Sequence, residues 1–429
     1  MRFRSKSLSA ARSALLAALP AAALLPLAAH ATNGYFSDGF GSKAEGQGGV
    51  GIAWAQDALA AATNPAGTAL VGSRLDLGLD WFIPRRSAEI IGNAFGADAS
   101  YNGDGRKNFF IPSVGYAQQL SDTLAAGVAL YGNGGLETKY ADNPYARFGA
   151  TGTAGVDLEQ LFISPSLAWK PAADQSLGAA LNIAYQRFKA EGLGVFAGFS
   201  SGPANVSDRG TDNSLGVGVR LGWTGTLAPG LTAGATWASK VHGRFTKYSG
   251  LFADGGSFDV PENYGVGLAY QPAAGWTLGA DVQKILYRSV AAVGDSFGLL
   301  LQGKPLGGAG GPGFGWRNVT VLKFGASYAL DADWLLRAGY SHARQSVPAN
   351  ETFLNILAPG VVQDHWTLGA SWTQAGGGEL SGFFAYAPSK TVSGSGSIPP
   401  GFPPAGFGGG NANIRLKETI LGVSYGWKL

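Results

Sequence analysis

The sequence predicts an all-β fold, a transmembrane antiparallel β-barrel of about fourteen strands with an N-terminal hatch, or plug, inside its lumen. Three observations carry the prediction. Hydrophobicity repeats with a period of two, aromatic residues gather at the ends of the repeating runs, and the connections between runs come in two lengths. From Ser214 to Trp223 the side chains of Leu215, Val217, Val219, Leu221 and Trp223 share one face, while Ser214, Gly216, Gly218, Arg220 and Gly222 share the other. Every second residue of a barrel strand faces the lumen and can be small or polar, so a mean hydropathy of only +0.07 is compatible with a membrane protein. A soluble sandwich would cover its second face with Lys, Glu and Asp. Here charged residues make up 14% of the chain, and 68 glycines supply much of that face instead.

Residues 1–31 read as a signal peptide. Arg2, Arg4, Lys6 and Arg12 form a basic n-region, and the run from Ala14 to Ala29 is almost wholly Ala, Leu and Pro. Ala29-His30-Ala31 places small residues around the cut, so the mature chain is expected to begin at Thr32. A membrane anchor needs roughly 20 apolar residues without such prolines. Residues 32–72 form the expected hatch. Within it Ala55–Gly67 reads as a short helix broken at Pro65, and its small side chains suit packing inside a barrel.

Residues 73–429 supply the barrel. Its alternating runs, in order, are Ser73–Phe82, Asn108–Ala117, Leu124–Tyr131, Gln160–Trp169, Leu177–Phe188, Ser214–Trp223, Leu231–Ser239, Asn263–Tyr270, Trp276–Leu286, Val319–Ala329, Trp334–Ser341, His365–Trp372, Glu379–Ala387 and Lys417–Leu429. Short turns such as Gln118–Thr123, Pro171–Ser176, Thr226–Gly230, Gln271–Gly275 and Leu330–Asp333 alternate with long segments. Outer-membrane barrels put short turns in the periplasm and long loops outside, so both termini are expected to be periplasmic. The last run presents Leu421, Val423, Tyr425, Trp427 and Leu429 on one face. That pattern resembles the C-terminal signal read by the barrel-assembly machinery, although Leu429 stands where Phe or Trp is usual. Outer-membrane lipid and lipopolysaccharide are the other expected surroundings.

Composition excludes several classes. The absence of cysteine rules out a disulfide scaffold and thiolate metal sites. A formal net charge of +3 with both signs scattered is not a nucleic-acid footprint. Gly198-Phe199-Ser200-Ser201-Gly202 fits a nucleophile elbow by letters, but it lies in a Gly/Ser/Pro loop without a strand-to-helix turn. Gly46–Gly51 matches a dinucleotide fingerprint without the strand that must precede it. Asp98, Ser100, Asn102 and Asp104 offer alternate oxygens for calcium, yet the twelfth position holds Phe109. No catalytic residue, metal or cofactor is expected.

Asn33-Gly34-Tyr35-Phe36, the glycine-rich Gly46–Gly51, Asp57-Ala58 and above all Asn64-Pro65-Ala66 resemble the FadL/TodX outer-membrane transporters of hydrophobic compounds. So do Lys247–Phe252, Val260–Gly265, Gly311–Trp316 and Arg337–Tyr340, in the same order along the mature chain. The resemblance implies a fourteen-stranded barrel blocked by a hatch, with substrate captured by extracellular loops and released sideways through the wall. It assigns Asn64, Pro65 and Ala66 to the hatch. It also implies passive transport of long-chain fatty acids or other small hydrophobic molecules, with a general diffusion porin and an outer-membrane lipase as the alternatives. Glycine-rich Gly132–Gly135 lies where the family's third strand is kinked, and glycine in a strand often marks a bulge.

Candidate substrate contacts follow from the loops. Leu193, Val195, Phe196 and Phe199 in one loop, with Phe245, Tyr248, Leu251, Phe252 and Phe258 in the next, either offer exposed apolar surface, which commonly marks binding, or pack against one another over the barrel mouth, and for any single residue the two are equally expected. A fatty-acid carboxylate would need a cation. Arg244 and Lys247 lie near the loop, and Arg220, Lys323 and Arg337 are expected to face the lumen together with Asp76, Asp80 and Asp281, where salt-bridge networks that hold the hatch are the expected role for most of the cations.

Overall fold

The computed structural model describes residues 33–402 and 406–429; the expected signal peptide lies outside these. Fourteen long antiparallel strands close into a barrel, and each predicted run is found in one of them. They are β1 (Arg74–Ile91), β3 (Phe109–Gln119), β4 (Leu124–Tyr140), β5 (Ala154–Ala172), β6 (Gln175–Glu191), β7 (Asp212–Ala228) and β8 (Leu231–Ala238), then β9 (Asn263–Tyr270), β10 (Trp276–Ile285), β11 (Val319–Ala329), β12 (Trp334–Ala343), β13 (Asp364–Thr373), β14 (Gly378–Val392) and β15 (Asn411–Lys428). A short strand, β2 (Ala99–Asn102), folds back onto the far end of β1 within a long loop. Each wall strand pairs with its sequence neighbour, and β1 closes on β15 from Arg74↔Lys428 to Ile91↔Asn411.

Alternation gives the wall its two faces. Leu215, Val217 and Leu221 on β7 are 69%, 58% and 50% exposed, whereas Arg220 between them is 4% exposed. The outward face is apolar because lipid is its solvent, and the backbone groups of the wall are satisfied strand to strand. Two belts of outward aromatics bound it. Trp276, Tyr328, Trp334, Trp372 and Trp427 lie toward the short turns, and Trp81, Phe110, Trp237, Tyr264 and Trp366 toward the long loops. Such belts are the mark of membrane interfaces.

Several strands run past the predicted limits, most of all at the long-loop end. β1 extends from Phe82 to Ile91 and β4 from Tyr131 to Tyr140. Beyond the aromatic belt the ladder continues, while the requirement for an apolar outward face ends.

The lumen is full. Residues 33–70 are mostly buried and touch wall strands on all sides. This explains the glycines of the inner face. A Cβ on Gly178 would meet the Ala66 nitrogen at 2.2 Å, one on Gly222 the Asn64 Oδ1 at 1.8 Å, and one on Gly339 the Gln47 carbonyl carbon at 2.1 Å. The small second face seen in the sequence is thus a seat for another stretch of backbone, not a lining for water.

Candidate functional site

The N-terminal segment is tied to the wall by polar side chains that reach inward. Its expected helix is split into Ala60–Thr63 and a 3-10 turn at Pro65–Ala69, with Pro65 at the first position of the turn. Asn64 joins the two. Its Oδ1 accepts from the Ala66 N–H at 3.1 Å, and its Nδ2 donates to the carbonyls of Ile52 at 2.8 Å and Trp223 at 3.0 Å. Elsewhere Asp281 accepts from the Gly51 and Ile52 amides at 2.8 and 3.1 Å, and Asp76 accepts from the Ala58 amide at 2.9 Å. Lys43 meets Glu379 at 2.5 Å.

The wall is irregular at the seam between β3 and β4. β3 pairs with β1 back to Phe109, but it pairs with β4 only between Val114↔Leu130 and Gln119↔Ala125. Phe109 to Ser113 therefore have no partner on the β4 side, a stretch that includes Pro112, which has no N–H to give. β4 itself shifts register against β5 between Gly132 and Gly134, the bulge that its glycines foreshadow. Its freed edge pairs instead with the N-terminal segment. Phe36 lies opposite Gly134, the Ser37 N–H donates to the Asn133 carbonyl at 3.0 Å, and the Gly135 N–H donates to the Tyr35 carbonyl at 3.0 Å. Only glycine permits that approach, since a Cβ on Gly134 would stand 1.7 Å from the Tyr35 oxygen. An apolar cavity of about 20 Å³ lies beside the seam, lined by Phe82, Phe109, Leu136 and Leu416 with Arg86 at its border.

Above the lumen the long loops form a single aromatic body. Tyr145, Phe148, Phe196, Phe353 and Phe407 come from four loops, and their rings meet at 5.1–5.7 Å, mostly edge to face. Phe188, Phe245, Tyr248, Phe252 and Phe258 make a second group. Tyr35 bridges from this body to the seam, with its ring 5.1 Å from Tyr287, 5.8 Å from Trp316 and 6.2 Å from Phe258. Burial raises the pKa of the loop phenols Tyr145, Tyr248 and Tyr287, which stay neutral donors.

The loop residues predicted from sequence are brought together, but not as exposed surface. Leu193, Phe196, Phe245 and Tyr248 are fully buried, Leu251, Phe252 and Phe258 nearly so, and Val195 and Phe199 pack partly against them. The loops satisfy one another over the barrel mouth, because burying aromatic area is worth more than leaving it in water. Phe353→Ala is expected to remove about 3–5 kcal/mol of that packing. Limited proteolysis should then cut the long loops while the barrel stays resistant.

The five candidate cations are already engaged. Arg220 donates to the Thr63 carbonyl at 3.2 Å, Lys323 to the carbonyls of Asp38 and Gly49, and Arg337 to Gln56 Oε1 at 3.1 and 3.2 Å. All three grip the N-terminal segment. In the loops Arg244 donates to the carbonyls of Asp254 and Gly255, and Lys247 to that of Thr211. Asp76, Asp80 and Asp281 do face the lumen.

The sequence matches the family model described as outer membrane protein transport protein (OMPP1/FadL/TodX) over residues 28–394. The chain belongs to this family. FadL/TodX proteins are outer-membrane channels for hydrophobic compounds, not enzymes, and Ser200 accordingly spends its hydroxyl on the Gly250 carbonyl at 2.6 Å, joining two loops. Among solved structures, a FadL homologue from Pseudomonas aeruginosa is similar at TM-score 0.70 and 16% identity, with 92% of this chain and 99% of that chain covered. The toluene transporter TodX of P. putida gives 0.66 and 19%, with 93% and 100% covered. The toluene transporter TbuX of Ralstonia pickettii gives 0.65 and 18%, with 91% and 99% covered. At these identities the likeness establishes the fold. No curated protein matches the sequence.

Within this FadL/TodX barrel, sequence reasoning missed Arg86 and Phe109 at the seam. Arg86 donates to the carbonyls of Glu137 and Arg106, and both its guanidinium and that of Arg106 lie over the Phe109 ring at 5.6 and 5.2 Å. A signal existed. The two-residue alternation of β1 continues through Phe82, Pro84 and Arg86 beyond the predicted strand end.

Proposed function

We propose that the protein is a passive route across the outer membrane for small hydrophobic molecules. They partition into the aromatic body of the extracellular loops, pass Tyr35 and leave sideways between β3 and β4 when the N-terminal segment lets go of β4. The long loops face outward and both termini face the periplasm. The observation that carries this reading is the replacement of wall pairing by the weak Tyr35–Ser37 contact along Asn133–Gly135. Two backbone hydrogen bonds, worth about 1 kcal/mol each, hold a seam that the barrel otherwise leaves unpaired. An apolar solute that entered an aqueous pore would gain nothing. Passing from aromatic loops to lipid through the wall, it never needs full hydration.

Filling of the lumen argues against a general diffusion porin. The cavity between the segment and the wall near Arg220, Asp281 and Lys323 measures about 20 Å³, room for about one water. The engaged cations favour neutral compounds such as aromatic hydrocarbons over long-chain fatty acids, because a carboxylate would have to compete for donors already committed. The test is uptake of labelled toluene and oleate by outer-membrane vesicles carrying the wild type or Pro65→Gly, with a hydrophilic sugar as control. Toluene should enter faster than oleate, with dependence on Pro65, and the sugar should be excluded. Entry of the sugar alone would return the reading to a porin.

A further inference from the structure

Around the long-loop rim, several outward cations meet a carboxylate. Arg187 meets Glu159 at 2.9 Å and Arg106 meets Asp157 at 3.2 Å. One sector departs from this. Arg85 on β1 lies directly opposite Lys417 on β15, and Arg415 follows on the same face opposite Ser87. Like charges facing each other across a sheet are destabilising. Two carboxylates approach the sector, and both are committed. Asp104 stands 3.6 Å from Arg85 but also 3.7 Å from Arg86, whose amide it accepts at 2.6 Å, and Glu89 accepts from the Asn413 amide at 3.0 Å. Among the described residues Arg415 and Lys417 have no carboxylate partner; Lys417 lies 5.3 Å above the Tyr386 ring.

These three cations line an open groove of about 360 Å³ together with Ser87, Ser100 and Ser389, and the paired Arg86 and Asp104 also border it. Its depth is informative. Arg85 stands four residues beyond Trp81, which stacks with Phe110 in the aromatic belt. At about 3.3 Å per residue that is roughly 13 Å along the strand, the level of lipid headgroups. Directly below, Trp81, Leu421 and Val423 present apolar wall.

We propose that this sector binds the phosphate of an anionic glycolipid in the outer leaflet, with Arg85, Arg415 and Lys417 neutralising the phosphate, the serines meeting its sugar, and the apolar wall below carrying an acyl chain. The inference rests on the reading that the long loops face outward. Phosphate is the anion that arginine pairs with bidentately, and a lipid source accounts for cations set above a greasy wall where a free ion would need only the charges. Basic clusters at membrane surfaces recognise anionic headgroups in this way.

The test titrates the purified, folded barrel in detergent with short-chain lipopolysaccharide, its dephosphorylated form and inorganic phosphate. Wild type and two variants, Arg415→Gln/Lys417→Gln and Arg187→Gln/Lys189→Gln, are compared, with the heat-modifiable gel shift as the check on folding. The phosphorylated lipid should bind the wild type and the Arg187/Lys189 variant alike and the Arg415/Lys417 variant at least about tenfold more weakly. Neither the dephosphorylated lipid nor millimolar phosphate should match it. Equal binding by the Arg415/Lys417 variant, equal loss in both variants, equal binding of dephosphorylated lipid, or equally tight binding of phosphate alone would each overturn the assignment. Toluene uptake, read in the same preparations, reports on the channel reading independently of this site.

Discussion

Replacing Gly134 by valine is expected to speed hydrophobic uptake several-fold while leaving the barrel folded. The new Cβ would stand 1.7 Å from the Tyr35 carbonyl oxygen, and no rotamer relieves a clash with backbone. Tyr35–Ser37 must therefore leave the edge of β4, giving up the hydrogen bonds to Asn133 and Gly135. What remains is the unpaired stretch of β3 from Phe109 to Ser113 facing an open strand. On the proposed mechanism that state is the conducting one, now populated without substrate. Sugar permeability should stay low, because the rest of the segment, from Gly46 to Ala69, keeps its seat on the wall. Transport assays with both solutes separate a seam held open from a barrel that has lost its plug.

Asn64→Ala is expected to do the reverse, loosening the plug while the seam stays shut. The substitution removes an acceptor from the Ala66 amide and donors from the Ile52 and Trp223 carbonyls, all in a site with 1% exposure. Leaving buried groups unpaired costs about 1–3 kcal/mol apiece, so docking of the segment should weaken by several kcal/mol. Planar-bilayer recordings should show openings that the wild type lacks, and protease should reach the segment from the short-turn side. Asn64→Asp keeps the cap on Ala66 but turns a buried carboxylate oxygen toward the Ile52 and Trp223 carbonyls, so it should loosen the plug more than alanine does.

The barrel was legible in the sequence because lipid imposes a rule on every second residue. Where the rule lapses, so did the reading. β1 was followed to Phe82 and not to Ile91, and β2 was not seen, because past the aromatic belt a strand can carry Arg85 or Glu89 outward at no cost. The Asn64-Pro65-Ala66 turn was recognisable, as an asparagine cap ahead of a proline has few alternatives. Alternation alone puts Arg220, Lys323 and Arg337 in the lumen and makes holding the hatch the favoured role for most of them, but it does not say which atoms of the hatch they meet. Arg220 and Lys323 bind backbone carbonyls, and Arg337 the Gln56 side-chain oxygen, of a segment over a hundred residues away, a relation that no local pattern encodes. For the apolar loop residues the sequence leaves exposure and mutual packing open, and the structure shows packing. Sequence shows that Phe196 and Phe245 are greasy, whereas their burial depends on Tyr145, Phe353 and Phe407 arriving from other loops.

Gating at the seam is the central claim, and the absence of native cysteine allows a clean test. Ser37 and Asn133 are neighbours across the Phe36↔Gly134 pairing, within reach of a disulfide. Toluene uptake by vesicles carrying Ser37→Cys/Asn133→Cys should be abolished when the pair is oxidised and restored on reduction. Uptake at the wild-type rate with the disulfide formed would show that substrate does not pass between β3 and β4, and the account would be wrong at its core.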